Sequence, residues 1–155
     1  MLLPMRIPIA YGRGTLEIDL PEERTTVIQP RPVAGLSDER ATVLHALEHP
    51  IASPPLRSLL KPESRVCITF SDLTRATPNE RLIPWLLEHL NDVSPDRITL
   101  INQVGTHRPN TTPELEQLLT PEVARHYRVI NHNAEDPNAL VPLGTTRDGT
   151  PALVN

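Results

Sequence analysis

Aromatic and lysine side chains are scarce: Phe, Trp and Tyr make up 3% of 155 residues, and Lys61 is the only lysine. With so few aromatics there is no base-stacking surface. With 15 Lys plus Arg against 19 Asp plus Glu, a net charge of −4, there is no electrostatic case for gripping a nucleic-acid backbone. The single cysteine, Cys67, has no partner for an internal disulfide, which fits a reducing, cytoplasmic setting. No long hydrophobic run is present. The apolar opening from Met1 to Ala10 is interrupted by Pro4, Arg6 and Pro8, so it resembles neither a signal peptide nor a transmembrane helix, and no membrane partner is expected. There is no HExxH, paired CxxC or Walker A sequence, so no metal ligand set is expected within this chain. Gly12-Arg13-Gly14 leads into another strand rather than a helix and cannot be the dinucleotide turn of GxGxxG.

What is present has the length of one domain, with 38% hydrophobic residues and 18 prolines against 6 glycines. That balance suits short elements joined by stiff connections. Ile7–Ala10 and Thr15–Leu20 read as two strands around a glycine-containing turn, and Thr25–Gln29 as a third β-prone run closed by Pro30 and Pro32. Ser37 is the expected cap of a helix carrying Val43, Leu44 and Leu47, which Pro50 stops. From Arg65 the pattern becomes strand, loop, helix, repeated. Strands are expected at Val66–Phe70, Ile98–Gln103 and Arg128–His132, with helices at about Asn79–Asn91 and at Pro113–Leu119, the latter begun by Thr112. Pro84 would fall in the first turns of its helix, where it is tolerable. A final pair is expected near Leu140–Thr145 and Pro151–Asn155. The fold class is therefore α/β: a mainly parallel, Rossmann-like sheet with helices packed on it and an antiparallel N-terminal hairpin.

Open α/β sheets carry their functional residues in loops beyond the carboxyl ends of the strands. Two such loops are dense in polar groups, Ser71-Asp72-Leu73-Thr74-Arg75-Ala76-Thr77-Pro78 and Gly105-Thr106-His107-Arg108-Pro109-Asn110-Thr111-Thr112. If their strands are neighbours, the loops face one crevice. Arg75 and Arg108 would suit a carboxylate or phosphate, His107 can take and return a proton near neutral pH, and Asp72 could fix the histidine tautomer or balance an arginine. The plainer alternative is that Asp72, Thr74 and Thr77 serve as turn and cap residues and His107 braces its loop. His45, His49, His89 and His126 fall on or near helices, where exposure or a helix-end charge interaction is the ordinary explanation. His132 follows a strand and approaches the same crevice, with a structural role expected.

Taken together, SDLTRATP, GTHRPNT, NHN, LGTTRDGTP and the terminal VN, with the earlier YGRGTLEIDLP and HPIASPPLRSLL, closely resemble the N-terminal part of the nickel-dependent lactate racemase family, the LarA-like proteins. The resemblance runs from about Tyr11 to Asn155. It implies a 2-hydroxy-acid racemase or epimerase in which the α-hydrogen leaves as hydride to a nickel-pincer nucleotide, a pyridinium mononucleotide with two thio-acid arms. It implies that His107 is one of two acid/base histidines, and that Asp72 lines the site with the binding residues Arg75, Thr74 and Arg108. Ala76 stands where such proteins often have proline. Family members continue well past this point. The continuation holds the second catalytic histidine, the lysine that tethers the cofactor and the nickel-binding histidine, and Lys61 matches none of these. Residues 1–155 are thus expected to be an N-terminal α/β domain truncated before that lysine. Such a domain would have the missing C-terminal portion as its partner and would bind no cofactor covalently. A noncatalytic anion- or nucleotide-binding module is the alternative.

Overall fold

The computed structural model describes residues 4–154 and divides the chain into two compact units, residues 1–35 and 36–155. Met1 to Leu3 of the apolar opening, and Asn155 of the last expected strand, lie outside the described residues.

In the first unit, β1 (Pro4–Tyr11) and β2 (Gly14–Pro21) form an antiparallel hairpin in register from Pro4 opposite Pro21 to Tyr11 opposite Gly14. The turn needs a left-handed residue, which Gly12 supplies at φ +58°. Arg6 and Asp19 face each other across the pair, with Nε donating to Oδ1 at 2.8 Å. The β-prone run Thr25–Gln29 is not a strand. It pairs with no strand among the described residues, and Pro30 and Pro32 remove two ladder donors beside it.

The second unit opens with α1 (Glu39–Glu48), capped by Asp38 rather than Ser37: the Asp38 carboxylate accepts from the Ala41 amide at 2.8 Å. A single turn, α2 (Leu56–Leu59), was not anticipated; Leu56 and Leu60 pack against the core. Next comes a parallel sheet in spatial order β3 (Val66–Ser71), β4 (Ile98–Gln103), β5 (Arg128–Asn131). The connections are α3 (Asn79–His89), and α4 (Thr112–Leu119) followed by α5 (Pro121–His126). Thr120, at φ +78°, separates α4 from α5, and its side chain accepts from the Val123 amide. Thr111, not Thr112, caps α4. Pro84 is the sixth residue of α3, past the first turn, so the Glu80 carbonyl has no amide four residues on. A separate antiparallel hairpin, β6 (Val141–Thr145) with β7 (Pro151–Val154), follows.

The core joins Ile68, Phe70, Ile98 and Leu100 of the sheet to Ile83, Leu87, Leu119 and Val123 of the helices. Register places the four strand residues on one face, since Ile68 lies opposite Leu100 and Val66 opposite Ile98. On the other face Cys67 and Thr69 are exposed, and Thr99, Ile101 and Ile130 are half-buried. The fold is the α/β arrangement expected, with the helices' apolar residues gathered on one side of the parallel sheet.

Candidate functional site

Register fixes where the polar loops emerge. Ser71 pairs with Gln103 in the parallel β3–β4 ladder, so Asp72 and Val104 leave the sheet side by side at its carboxyl end. The expectation that both loops share one crevice therefore holds. Ser71, Asp72, Arg75, Gln103, Val104, Gly105, Thr106 and His107 line a groove of about 310 Å³.

Across that groove His107 Nδ1 lies 2.7 Å from Asp72 Oδ2. Asp72 is 3% exposed, whereas the His107 side chain is 46% exposed. Thr74 Oγ1 donates to the other Asp72 oxygen at 2.8 Å. Burial pushes the Asp72 carboxyl up, but the hydrogen bonds from His107 and Thr74 more than offset it, leaving the pKa below the ordinary aspartate value. An ionised carboxylate only accepts, so the proton in the contact belongs to His107 Nδ1, and in the neutral ring Nε2 is then the acceptor. The turn and cap alternative is met in part. The Arg75 amide donates to the Asp72 carbonyl at 3.1 Å, and the Asp72 carboxylate takes a backbone hydrogen bond from Thr74 as a turn residue does, besides holding His107 and the Thr74 hydroxyl.

The two arginines differ. Arg75 is exposed at the groove, and its guanidinium meets no carboxylate among the described residues. Arg108 is committed: NH1 and NH2 donate to the two Glu114 oxygens at 2.8 and 2.6 Å. Those hydrogen bonds, with one from the Thr111 amide, push the Glu114 carboxyl down to about 2. Thr74 touches Asp72 and so supports the dyad. His132 shares a smaller pocket with His107, together with Gly105, Thr106 and Arg108.

Of the remaining histidines, His89 is buried rather than exposed: it is the last residue of α3, 5% exposed, with Nδ1 3.5 Å from Glu48 Oε1 of α1. His45 of α1 and His49 just after it stack at 4.2 Å, and His126 packs edge-on against Tyr127.

Sequence reasoning passed over the asparagines that hold the loops. Asn79, 2% exposed, donates to the Ser71 carbonyl at 2.8 Å and ties α3 to the end of β3. Asn102, fully buried, donates to Asn110 at 2.8 Å and to Asn131 at 2.9 Å. The visible signal was an asparagine, Asn102, on the Ile98–Leu100 side of a mostly apolar strand.

An anionic group fits beside the free guanidinium of Arg75. A covalent lysine tether does not fit within this chain: Lys61 lies in the turn before β3, at the amino end of the sheet, opposite the groove. Among the described residues no cluster of three His, Cys, Asp or Glu side chains could hold a metal ion. None of the helices described is long and apolar enough to cross a membrane.

Fold and groove define an α/β protein with a histidine–aspartate dyad in loops at the carboxyl ends of adjacent parallel strands. The chain belongs to the lactate racemase N-terminal domain family, whose model matches residues 11–155. It is 27% identical over 154 residues to a lactate racemase from Thermoanaerobacterium thermosaccharolyticum, covering 96% of this chain and 36% of that protein. The structure of a lactate racemase apoprotein from the same organism superposes with a TM-score of 0.76 at 26% identity, over 97% of this chain and 36% of the other. A Thermotoga maritima crystal structure matches at 25% identity with a TM-score of 0.50, over 69% of this chain and 24% of that one. This chain thus spans about a third of the length of the lactate racemase it matches.

Proposed function

We propose that the chain is the N-terminal α/β domain of a 2-hydroxy-acid racemase or epimerase of the lactate racemase type, and that it supplies one acid/base histidine and an anion-binding arginine. The observation that carries this reading is the 2.7 Å contact between His107 Nδ1 and the buried Asp72. Inverting a 2-hydroxy acid requires removal of the α-hydrogen, and that C–H is too weak an acid for a protein base. Loss of hydride together with the hydroxyl proton gives a planar keto acid that can be reduced on either face. In the complete protein a nickel-pincer nucleotide would supply the hydride acceptor, with its covalent tether and nickel ligand outside these 155 residues.

The chain's own groups do the rest. His107 Nε2 accepts the hydroxyl proton and returns it, while Asp72 holds the ring and stabilises the imidazolium that forms. Thr74 keeps Asp72 in place. Arg75 holds an anionic group of substrate or nucleotide, and Arg108 keeps its Glu114 partner and braces the loop end. The test is His107→Ala in the complete, cofactor-loaded protein. An acid/base role predicts a loss of about 10²- to 10⁴-fold in kcat. An unchanged rate would sink the reading. If the complete protein had no racemase activity but bound phosphate or hydroxy acids dependent on Arg75, the chain would be a noncatalytic anion-binding module.

A further inference from the structure

The asparagine network at the carboxyl ends of β4 and β5 has a hub. Asn102 Nδ2 donates to Asn110 Oδ1 and to Asn131 Oδ1. Its carbonyl accepts from the Val104 amide at 3.0 Å and from the His132 amide at 2.9 Å. Asn131 closes the circuit: Oδ1 accepts from the Asn110 amide at 3.1 Å and Nδ2 donates to the Asn110 carbonyl at 2.9 Å. The segment from Val104 to Asn110 is thereby gripped at both ends, and His107 is its centre. Within it the His107 amide donates to the Val104 carbonyl at 2.9 Å, a turn that Gly105 permits at φ +58°.

Asn102 is an odd choice for a purely structural position. It is fully buried, it faces the side of the sheet occupied by Ile98 and Leu100, and its Oδ1 has no partner. An unpaired buried acceptor costs free energy that an aliphatic side chain would not, and parallel strands ordinarily carry aliphatics there. Such departures concentrate where function demands them.

We infer that Asn102 is a positioning residue. Through Asn110 and Asn131 it sets the His107 ring against Asp72. This deepens the acid/base reading of His107 and rests on it. Asn102 touches no reacting atom; it acts through the loop.

The test reads the ring nitrogens of His107 by ¹⁵N NMR in the 155-residue chain, comparing wild type with Asn102→Leu and Asn131→Ser. Wild type should show neutral His107 in one tautomer, with the proton on Nδ1. Asn102→Leu should lose that preference and give the mixture of a free imidazole, as Asp72→Asn does directly, while the buried His89 keeps its wild-type signals. Asn131→Ser, which retains a short hydroxyl acceptor, should lose part of the preference and keep the rest. Unchanged His107 signals in a folded Asn102→Leu chain would overturn the proposal. If Asn102→Leu fails to fold, Asn131→Ser is read the same way, and failure of both to fold assigns Asn102 to the fold alone and equally overturns it. Absence of the Nδ1–H tautomer in wild type is a separate outcome: it removes the dyad, and the functional reading with it.

Discussion

At the scale of single residues, two carboxylates answer to their partners in opposite surroundings. Asp72 is buried and its pKa is lowered, so the folded chain binds fewer protons there than the unfolded chain as acid is added. Its stabilising contribution is complete above the ordinary aspartate pKa of about 3.9 and is lost as pH falls through the lowered folded value. Asp72→Asn should therefore unfold with a weaker pH dependence below about pH 4, measured by circular dichroism across an acid titration. An unchanged acid limb would show that the His107 and Thr74 hydrogen bonds do not hold in solution. Glu114 is the surface counterpart, pushed down to about 2 by the Arg108 fork and then by the Thr111 amide. Removing the fork with Arg108→Ala should raise the Glu114 pKa toward the ordinary glutamate range. Carboxyl-carbon NMR titration reads this shift, and a Glu114 pKa unmoved by the substitution would count against the pair. Arg75 behaves differently from Arg108 because its fork is free. Arg75→Lys should still weaken anion binding in the complete protein, since a point charge replaces a planar bidentate donor. Isothermal titration with an anionic ligand checks it.

At the scale of elements, legibility followed local chemistry. β4 is bounded by Ile98 and Gln103, as its apolar run implied, and β3 extends only one residue further, to Ser71. The caps slipped by one residue each way, because Ser37 and Asp38, or Thr111 and Thr112, are equally competent acceptors by type and the choice is made by backbone geometry. Thr25–Gln29 has strand propensity but no partner strand among the described residues, and propensity without a partner yields no strand. The dyad was readable as residue types in adjacent loops, while its order was not. Nothing in the spelling of GTHR says that Arg108 turns to Glu114, a local choice of side-chain direction, or that Asp72 takes His107, a pairing across 35 residues that depends on the parallel register of β3 and β4. Gly105 connects sequence to element here. Its φ of +58° is left-handed, and a Cβ placed on it would meet nothing within 4 Å, so Gly105→Ala carries a conformational cost alone. That cost should be about 1 kcal/mol, read as a lowered denaturation midpoint. A larger loss would reveal contacts the open space does not contain.

At the scale of the whole molecule, the sheet is asymmetric in a way the sequence concealed. Val66–Phe70 and Ile98–Gln103 read as continuous buried runs, the usual mark of a parallel sheet covered on both faces. Yet alternation is present once the faces are sorted by register. Ile68, Phe70, Ile98 and Leu100 lie in the core, whereas Cys67 and Thr69 are exposed and Ile101 is half-buried. Two adjacent residues of one strand should then respond unequally to the same truncation. Leu100→Ala removes a side chain with no exposed surface and leaves a cavity among Ile68, Leu119 and their neighbours, so a loss of about 2–5 kcal/mol is expected. Ile101→Ala removes fewer buried contacts from a half-exposed site and should cost less. Chemical denaturation of the two variants measures the difference, and a native-state thiol assay on Cys67 gives an independent reading of the same face. Rapid labelling with the smaller Ile101 loss fits a sheet covered on one side. Equal losses with a protected thiol would mean that the second face is packed as firmly as the first.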